Sequence, residues 1–186
     1  MDYDPEWPHR FEAERARILE ALQGLDVTVE HVGSTSVPGL AAKPIIDIMI
    51  MVANAQEQIR AITPLVHLDY ICRGEAEIPG RIFFRKGEPR ARSREPDAPA
   101  EPMSTERDLA RPRTFHLHLY SRGHPEIERH LLFRDYLRMH PEAAHEYEQL
   151  KRALAEKYRN DRAAYTEAKT EFIRAVEAQA RSARKV

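Results

Sequence analysis

Three short stretches of the sequence contain residue types that can bind or process a phosphorylated ligand. The first is the loop Gly33-Ser34-Thr35-Ser36, which directly follows a β-branched segment. Its glycine allows close approach of the backbone, and its three hydroxyl groups add hydrogen-bond donors. Backbone N–H groups in such a turn can hold a phosphate. The same four residues also suit an ordinary turn whose hydroxyls cap the backbone, so a ligand site here needs further support.

The second stretch contains Asp47, a carboxylate inside the almost wholly apolar segment Ile45–Val52. A buried charge is costly unless it has a partner. That partner is either a metal ion or bound ligand, or a structural ion pair with Lys43 or Arg81. We take Asp47 as the candidate catalytic residue. Lys43 and Arg81 are candidate ligand-binding cations, because a positive side chain at a reacting centre neutralises developing charge.

The third stretch is a strand-like segment in which His116 and His118 alternate with apolar residues. Alternation on a β-strand places both imidazoles on one face. Together with Asp47 on a neighbouring strand they would form a two-histidine, one-carboxylate set for a divalent cation. The alternative is a pair of half-exposed histidines on a polar sheet face.

The elements that position these residues follow from the hydrophobic pattern. An amphipathic helix carrying Phe11, Ile18 and Leu22 is predicted before the Gly-Ser loop. Asn54 predicts the start of a second helix, which runs to about Leu65. The predicted strands are Val27–Val32, Ile45–Val52, Leu68–Arg73, Arg81–Lys86 and Thr114–Tyr120.

Three helices are predicted after the last strand, beginning at Pro125, at Pro141 and after Asp161. The chain is therefore expected to be α+β, with a core over residues 1–122 and a helical part over 123–186 packed on it as one compact unit. Residues 87–113 are rich in proline and charge and poor in large apolar side chains. They are expected to be a flexible or disordered insert.

Composition limits the class of protein. The chain has 186 residues, which suits one domain. Lys and Arg number 29 and Asp and Glu 30, so the net charge of −1 weighs against a nucleic-acid-binding role. A single cysteine, Cys72, excludes an internal disulfide framework. Neither a membrane span nor a secretory signal is recognisable, so a cytoplasmic location is expected.

The segment His31–Ile48, HVGSTSVPGLAAKPIIDI, resembles the signature of the GrpB family, also called UPF0157. That family occurs fused to dephospho-CoA kinase in some bacteria. The resemblance extends to Trp7 and Phe11 in the first helix, to the His116–Leu119 strand and to the Phe133–Arg138 helix segment. Only the proline-rich insert lies outside it.

This resemblance implies a nucleotidyltransferase-like fold of the polymerase-β superfamily, a mixed β-sheet flanked by helices with a C-terminal three-helix segment. The superfamily places a Gly-Ser turn before Asp-x-Asp or Asp-x-Glu on the next strand, and a third carboxylate on a later strand. Gly33-Ser34 and Asp47 match the turn and the first carboxylate. Met49 stands at the second carboxylate position, and His116 or His118 at the third. The usual two-metal mechanism depends on those carboxylates.

Two functions are therefore expected. The first is a metal-dependent nucleotidyltransferase-like enzyme. The turn residues Gly33–Ser36, with Lys43 or Arg81, would hold a nucleotide or other phosphorylated small molecule, and Asp47, His116 and His118 would hold Mg²⁺, Mn²⁺ or Zn²⁺. The second is a catalytically inactive ligand-binding or protein-partner module on the same fold, with a dephospho-CoA kinase-related protein as a candidate partner.

Overall fold

The computed structural model describes residues 1–87, 113–159 and 161–183, and its centre is a five-stranded mixed sheet. The strands are β1 (Val27–Val32), β2 (Ile46–Val52), β3 (Ile71–Cys72), β4 (Ile82–Gly87) and β5 (Arg113–Ser121). They lie in the order β1, β2, β5, β4, β3. The β2–β5 pair is parallel and the other pairs are antiparallel. This mixed sheet with its helices confirms the predicted α+β class.

Six α-helices surround the sheet in the described residues. They are α1 (Glu6–Ala21), α2 (Ala55–His67), α3 (Pro125–Met139), α4 (Pro141–Lys157), α5 (Arg162–Glu167) and α6 (Thr170–Ala183). A single 3₁₀ turn, Ser34–Ser36, follows β1. Two starts follow directly from sequence chemistry. Asn54 accepts hydrogen bonds from the first amides of α2, and Pro125 occupies the first turn of α3.

Alternation along β2 divides its side chains between two apolar layers. Ile46, Ile48 and Ile50 are fully buried in the main core with residues of α1 and α2. Met49 faces the other side, where it packs with residues of β5 and α3. Because side chains alternate, Asp47 shares this second face. A strand covered on both sides explains why the segment is almost wholly apolar.

The loop after the 3₁₀ turn is covered by the C-terminal helices. Val37 and Leu40 of that loop lie in one cluster with Leu137 of α3, Tyr147 of α4 and Val176 of α6. All five side chains are at most 5% exposed. The helical part therefore packs directly on the segment that carries the candidate phosphate-binding turn.

The structure differs from the sequence-based expectation at two elements. The predicted strand Leu68–Arg73 is only Ile71–Cys72, because α2 runs on to His67 and the chain then turns through Asp69 at a φ of 67°. The third C-terminal helix is two helices, α5 and α6, separated at Ala168 and Lys169. At this break the ring of Tyr165 lies beside the ammonium groups of Lys43 and Lys169.

The predicted insert, residues 87–113, lies outside the described residues except at its ends. Gly87 and Arg113 are paired with each other in the β4–β5 ladder. The intervening segment thus connects two antiparallel neighbours in the sheet. No helix among the residues that the structure describes is long and apolar enough to cross a membrane.

Candidate active site

The Gly-Ser turn lies directly against Asp47. Gly33 has a φ of 72° and a ψ of −174°, a conformation that favours glycine. A Cβ atom at this position would overlap Oδ2 of Asp47. The pairing of β1 with β2 places Val32, the residue before Gly33, opposite Asp47. The turn and the carboxylate therefore form one continuous surface at the end of β1.

Two of the three hydroxyls in the turn are used to hold its shape. Ser36 donates its Oγ–H to the carbonyl oxygen of Gly33, with an O···O distance of 2.6 Å. Thr35 is buried, and its Oγ1 lies 3.0 Å from Nε2 of His31. The imidazole of His31 in turn stacks on Phe11 at a centroid distance of 4.6 Å. His31 therefore packs into the fold, and Ser34 is the hydroxyl of this turn that contacts the C-terminal helices.

Asp47 lies beside His116 and His118, the two histidines predicted from the sequence. The β2–β5 register places Asp47 opposite His116, and Met49 opposite His118. Oδ1 of Asp47 is 3.2 Å from Nδ1 of His116 and 3.8 Å from Nε2 of His118. Burial raises the pKa of Asp47, but the contacts with both imidazoles outweigh that effect and leave it below its ordinary value. Asp47 is thus an ionised carboxylate at neutral pH.

A third imidazole, His130 of α3, joins this face of the sheet. Its ring centroid lies 5.4 Å from that of His118. Burial and the neighbouring His118 lower the pKa of His130 to about 4, so it is neutral at pH 7. His130 was not predicted as a site residue. Its position three residues after Ile127 indicates the helix face that packs on Met49, and this spacing could have identified it.

The three predicted metal ligands converge, but their polar atoms face one another. Within residues 1–87, 113–159 and 161–183, no three His, Cys, Asp or Glu side chains are arranged around a common point as metal ligands. Nε2 of His116 is buried and has no hydrogen-bond partner among the described residues. The donor types therefore fit a cation such as Mn²⁺ or Zn²⁺, whereas occupancy requires the imidazoles to turn from the carboxylate.

Arg81 and Lys43 do not pair with Asp47 among the described residues. Arg81 is buried, and its guanidinium donates to the carbonyl oxygens of Glu75 and Ala76. It thereby holds the loop before β4, and its NH1 lies 3.4 Å from Nδ1 of His118. Lys43 is exposed and lies 5.6 Å from the ring centroid of Tyr165. The structural ion pair considered for Asp47 is therefore replaced by its contacts with histidines.

Lys151 of α4 places a positive charge at the hydroxyl of Ser34. Its ammonium donates to Oγ of Ser34 at 3.1 Å and to the carbonyl oxygen of Ala41 at 2.6 Å. Burial lowers the pKa of Lys151 to about 8. From the sequence alone Lys151 cannot be told from a solvated helix residue, because nothing local relates it to Ser34, 117 positions away.

The chain is similar to proteins of one family over nearly its whole length. A family model described as GrpB protein matches residues 1–179. The UPF0157 protein YqkA of Bacillus subtilis is 35% identical over 179 residues, which cover 96% of this chain and 46% of YqkA. A dephospho-CoA kinase of Mycolicibacterium paratuberculosis is 28% identical over 92% of this chain and 43% of its own length. The chain thus spans about half the length of these two relatives.

Solved structures show the same fold. The crystal structure of the conserved protein GrpB from Enterococcus faecalis has a TM-score of 0.76 and 34% identity, covering 97% of this chain and 95% of that protein. The Cid1 poly(U) polymerase, in a structure described as MgGTP bound, has a TM-score of 0.55 and 12% identity. That match covers 90% of this chain and 50% of Cid1, and it confirms the nucleotidyltransferase-like fold.

Proposed function

The chain belongs to the GrpB family, and on this premise we propose that it is a metal-dependent nucleotidyltransferase-like enzyme. Its substrate would be a nucleotide or another phosphorylated small molecule held at the Gly33–Ser36 turn. A cytoplasmic location agrees with such a substrate. The proposal depends on one observation above all, the direct contact of Gly33 with Asp47. A phosphate held by the turn would lie beside this carboxylate and the histidines that contact it.

Phosphate binding is supported by the groups around the turn. The hydroxyl of Ser34 and the ammonium of Lys151 are already within hydrogen-bond distance of each other, so both can contact one anion. The ammonium groups of Lys43 and Lys169 lie 5.6 Å and 4.3 Å from the ring centroid of Tyr165 and add positive charge. Arg81 has a different part in this proposal. Because it binds its own loop and approaches His118, it would position that imidazole.

We further propose that Asp47, His116 and His118 bind one divalent cation together with the substrate. The donor atoms already lie within 4 Å of one carboxylate oxygen. Two imidazoles and one carboxylate favour Mn²⁺ or Zn²⁺ over Mg²⁺, which prefers oxygen ligands. When bound, the cation would supply charge to the phosphate oxygens. Asp47 would hold the cation, and Lys151 would neutralise negative charge on the phosphate.

One observation favours a second candidate, a binding module without turnover. Met49 is fully buried where the superfamily has its second carboxylate, and Asp47 is satisfied by contacts with histidines. On this alternative the turn holds the ligand without chemistry. A partner related to dephospho-CoA kinase is then the first to test, because such a kinase contains a segment similar to this chain.

Thermal unfolding in the presence of ATP, GTP, CTP or UTP, each with and without MnCl₂, tests the proposed site. We expect Tm to rise when nucleotide and Mn²⁺ are present together, because binding to the native state adds about 2.7 kcal/mol at one hundred times the dissociation constant. Asp47→Asn and His118→Gln should abolish the rise. The matched control is His67→Gln, an exposed histidine at the end of α2, which should retain it.

A second measurement separates the two candidates. Release of pyrophosphate from the nucleotide that binds, lost in Asp47→Asn, would establish an enzyme. A nucleotide-dependent rise in Tm with no pyrophosphate or other product would favour the binding module. If neither nucleotide nor Mn²⁺ changes Tm, the proposed site is wrong.

A further inference from the structure

A cavity lies between helix α1, strand β1, the turn and helix α3. It has a volume of about 580 Å³, within the range of small-molecule sites. Asp47, His116 and Lys151 do not line it. Residues from α1, β1, the turn and α3 form its walls, among them Tyr3, Phe11, Arg15, Ser36, Pro38 and Arg138.

The two arginines that α3 contributes to this cavity differ in their charge balance. Arg134 is paired with Glu30 and with Asp135, each at 2.7 Å, and it also donates to the carbonyl oxygen of His31. Arg138 donates its Nε–H to the carbonyl oxygen of Ser36 at 2.9 Å. In the part of the chain that the structure describes, no carboxylate lies within ion-pair distance of Arg138. Among the described residues, the Arg138 guanidinium is therefore fixed at the cavity wall without an ion pair of its own.

The carboxylates of Glu30 and Asp135 act electrostatically on Arg138, but both of them form their ion pairs with Arg134. Burial and the neighbouring Arg134 lower the pKa of the Arg138 guanidinium, although it remains charged at every accessible pH. Arg15 of α1 also lines the cavity, and the ion pair that it forms among the described residues is with Glu12, an exposed lining residue 3.6 Å away. An anion in the cavity would thus gain interactions with two arginines that lack a close buried partner.

The rest of the wall combines polar side chains, Glu12, Glu30 and His31, with apolar ones. Phe11 and Val29 are at most 6% exposed, and Tyr3 and Pro38 add an aromatic and an aliphatic ring. A simple ion would leave most of this surface uncovered. The complementary ligand therefore has an anionic group and an apolar body, the common pattern of an apolar pocket with a few oriented polar groups.

We propose that this cavity binds a small molecule in which a carboxylate or phosphate is attached to an aromatic or aliphatic body. Arg138 receives the anionic group through its guanidinium, and Phe11, Val29 and Pro38 cover the body. Ser36 belongs both to the turn and to the wall of this cavity, but the proposal does not require the function assigned to the Asp47 site, because Arg138, Phe11 and Val29 take no part in that function.

Titration of the ¹⁵N-labelled full chain by NMR tests this site. The probes are benzoate and phenyl phosphate, which share a ring and differ in the anion, with benzyl alcohol as the neutral control. We expect an anionic probe to bind with a dissociation constant of about 1 mM or below. It should shift the amides of Phe11 and Arg15 on α1 and leave those of Asp47 and His116 unchanged. The anion that binds more tightly identifies the ligand class.

Substitutions separate recognition from structure. Arg138→Gln should weaken binding about tenfold or more, because a charge-assisted pair is lost. Arg138→Lys should fall between it and the natural protein, since it keeps the charge without the planar fork. Arg60→Gln on the exposed face of α2 is the matched control and should bind normally.

Four results would overturn the proposal. They are no binding of either anion, equal binding of benzyl alcohol, undiminished binding in a folded Arg138→Gln protein, and shifts confined to Asp47 and His116. The last result would place the anion at the Gly-Ser turn instead.

Discussion

Gly33 shows how a single missing side chain sets the geometry of the candidate site. Its positive φ and its contact with Asp47 are separate constraints, because the first concerns the backbone and the second the carboxylate. Gly39, six residues later, has a similar φ of 79° but nothing within 4 Å of an added Cβ. Substituting each glycine by alanine therefore distinguishes two effects, because both substitutions strain the backbone and only the one at Gly33 displaces the carboxylate of Asp47.

We predict that Gly33→Ala abolishes the Mn²⁺- and nucleotide-dependent rise in Tm, whereas Gly39→Ala retains it. Both substitutions should lower the free energy of unfolding by about 1–3 kcal/mol through strain at positive φ. Gly33→Ala should cost more, because Asp47 must also move. Urea unfolding and the thermal assay measure the two effects. Equal behaviour of the two variants would contradict the importance of the Gly33–Asp47 contact.

Lys151 gives a prediction for pH. Burial lowers its pKa to about 8, so the ammonium loses its proton as the pH rises through that value. The affinity for ATP with Mn²⁺ should therefore fall between about pH 7 and 9. Lys151→Arg should retain its affinity over the same range, because a guanidinium stays charged. Calorimetric titrations at several pH values test this, and parallel declines in both proteins would exclude Lys151 as the phosphate partner.

At the scale of elements, helix α1 is attached to strand β4 by a buried ion pair. Glu14 and Lys86 are separated by 2.7 Å, and their side chains are only 5% and 8% exposed. Glu14 also accepts from Arg17, and the Lys86 ammonium lies 5.1 Å from the ring centroid of Tyr70. Because both charges are desolvated, each depends on the other far more than surface charges do.

We predict that Glu14→Ala lowers the free energy of unfolding by about 3–5 kcal/mol, since Lys86 is left buried without its counter-charge. The double variant Glu14→Leu, Lys86→Met should be more stable than Glu14→Ala. Glu12→Ala, which breaks the exposed pair with Arg15, is the control and should cost at most about 1 kcal/mol. Urea unfolding at pH 7 measures all three. A loss below about 1 kcal/mol in Glu14→Ala would show that solvent reaches Lys86.

The elements were predictable where local chemistry determines them. The β-branched run of β1, the apolar run of β2 and Pro125 at the start of α3 each carry their signal in adjacent residues. The alternation of His116 and His118 likewise placed both on the Asp47 face. The break between α5 and α6 was missed, because the apolar stripe from Tyr165 to Val176 continues across it.

Contacts between distant segments could not be predicted in the same way. Lys151 reaches Ser34 from 117 residues away, and Arg134 reaches Glu30 from 104. Neither lysine nor arginine has a local pattern that distinguishes it from a solvated helix residue. The use of Arg81 to bind Glu75 and Ala76 is a local contact, and it was missed because its acceptors are backbone carbonyl oxygens, which every residue has. The sequence indicated which chemical groups are present, and the packing of the C-terminal helices determined which of them meet.

For the whole molecule, the buried His31 and the half-buried His130 make stability depend on pH. Burial, with the positive charge of Arg138, lowers the pKa of His31 to about 4, and burial, with His118, does the same for His130. Between pH 6.5, the ordinary pKa of histidine, and about pH 4, these two imidazoles are protonated in the unfolded chain and neutral in the folded chain. The free energy of unfolding must therefore fall as the pH falls through this window.

We predict a loss of about 2 kcal/mol for each of these histidines between pH 7 and about pH 4.5. Asp47 acts in the same direction, but its stabilising contribution is lost as the pH falls from the ordinary carboxyl pKa of 3.8 downward, below the range of this measurement. His31→Gln, which keeps a polar group near Thr35, should have a shallower pH dependence than the natural protein. Urea unfolding at the two pH values measures the change, and an unaltered slope in His31→Gln would mean that His31 is protonated in the folded state.

The short turn Ser34–Ser36 is bound from two sides, by Lys151 at the hydroxyl of Ser34 and by Arg138 at the carbonyl oxygen of Ser36. The two side chains that we propose to bind anions thus contact the same three-residue turn. If a ligand at one of them shifts the turn and changes affinity at the other by some factor, the reverse effect must have the same factor, because binding free energies around a closed cycle sum to zero. Benzoate would then change the affinity for the nucleotide, and the nucleotide would change the affinity for benzoate, with the three-residue turn Ser34–Ser36 transmitting the effect.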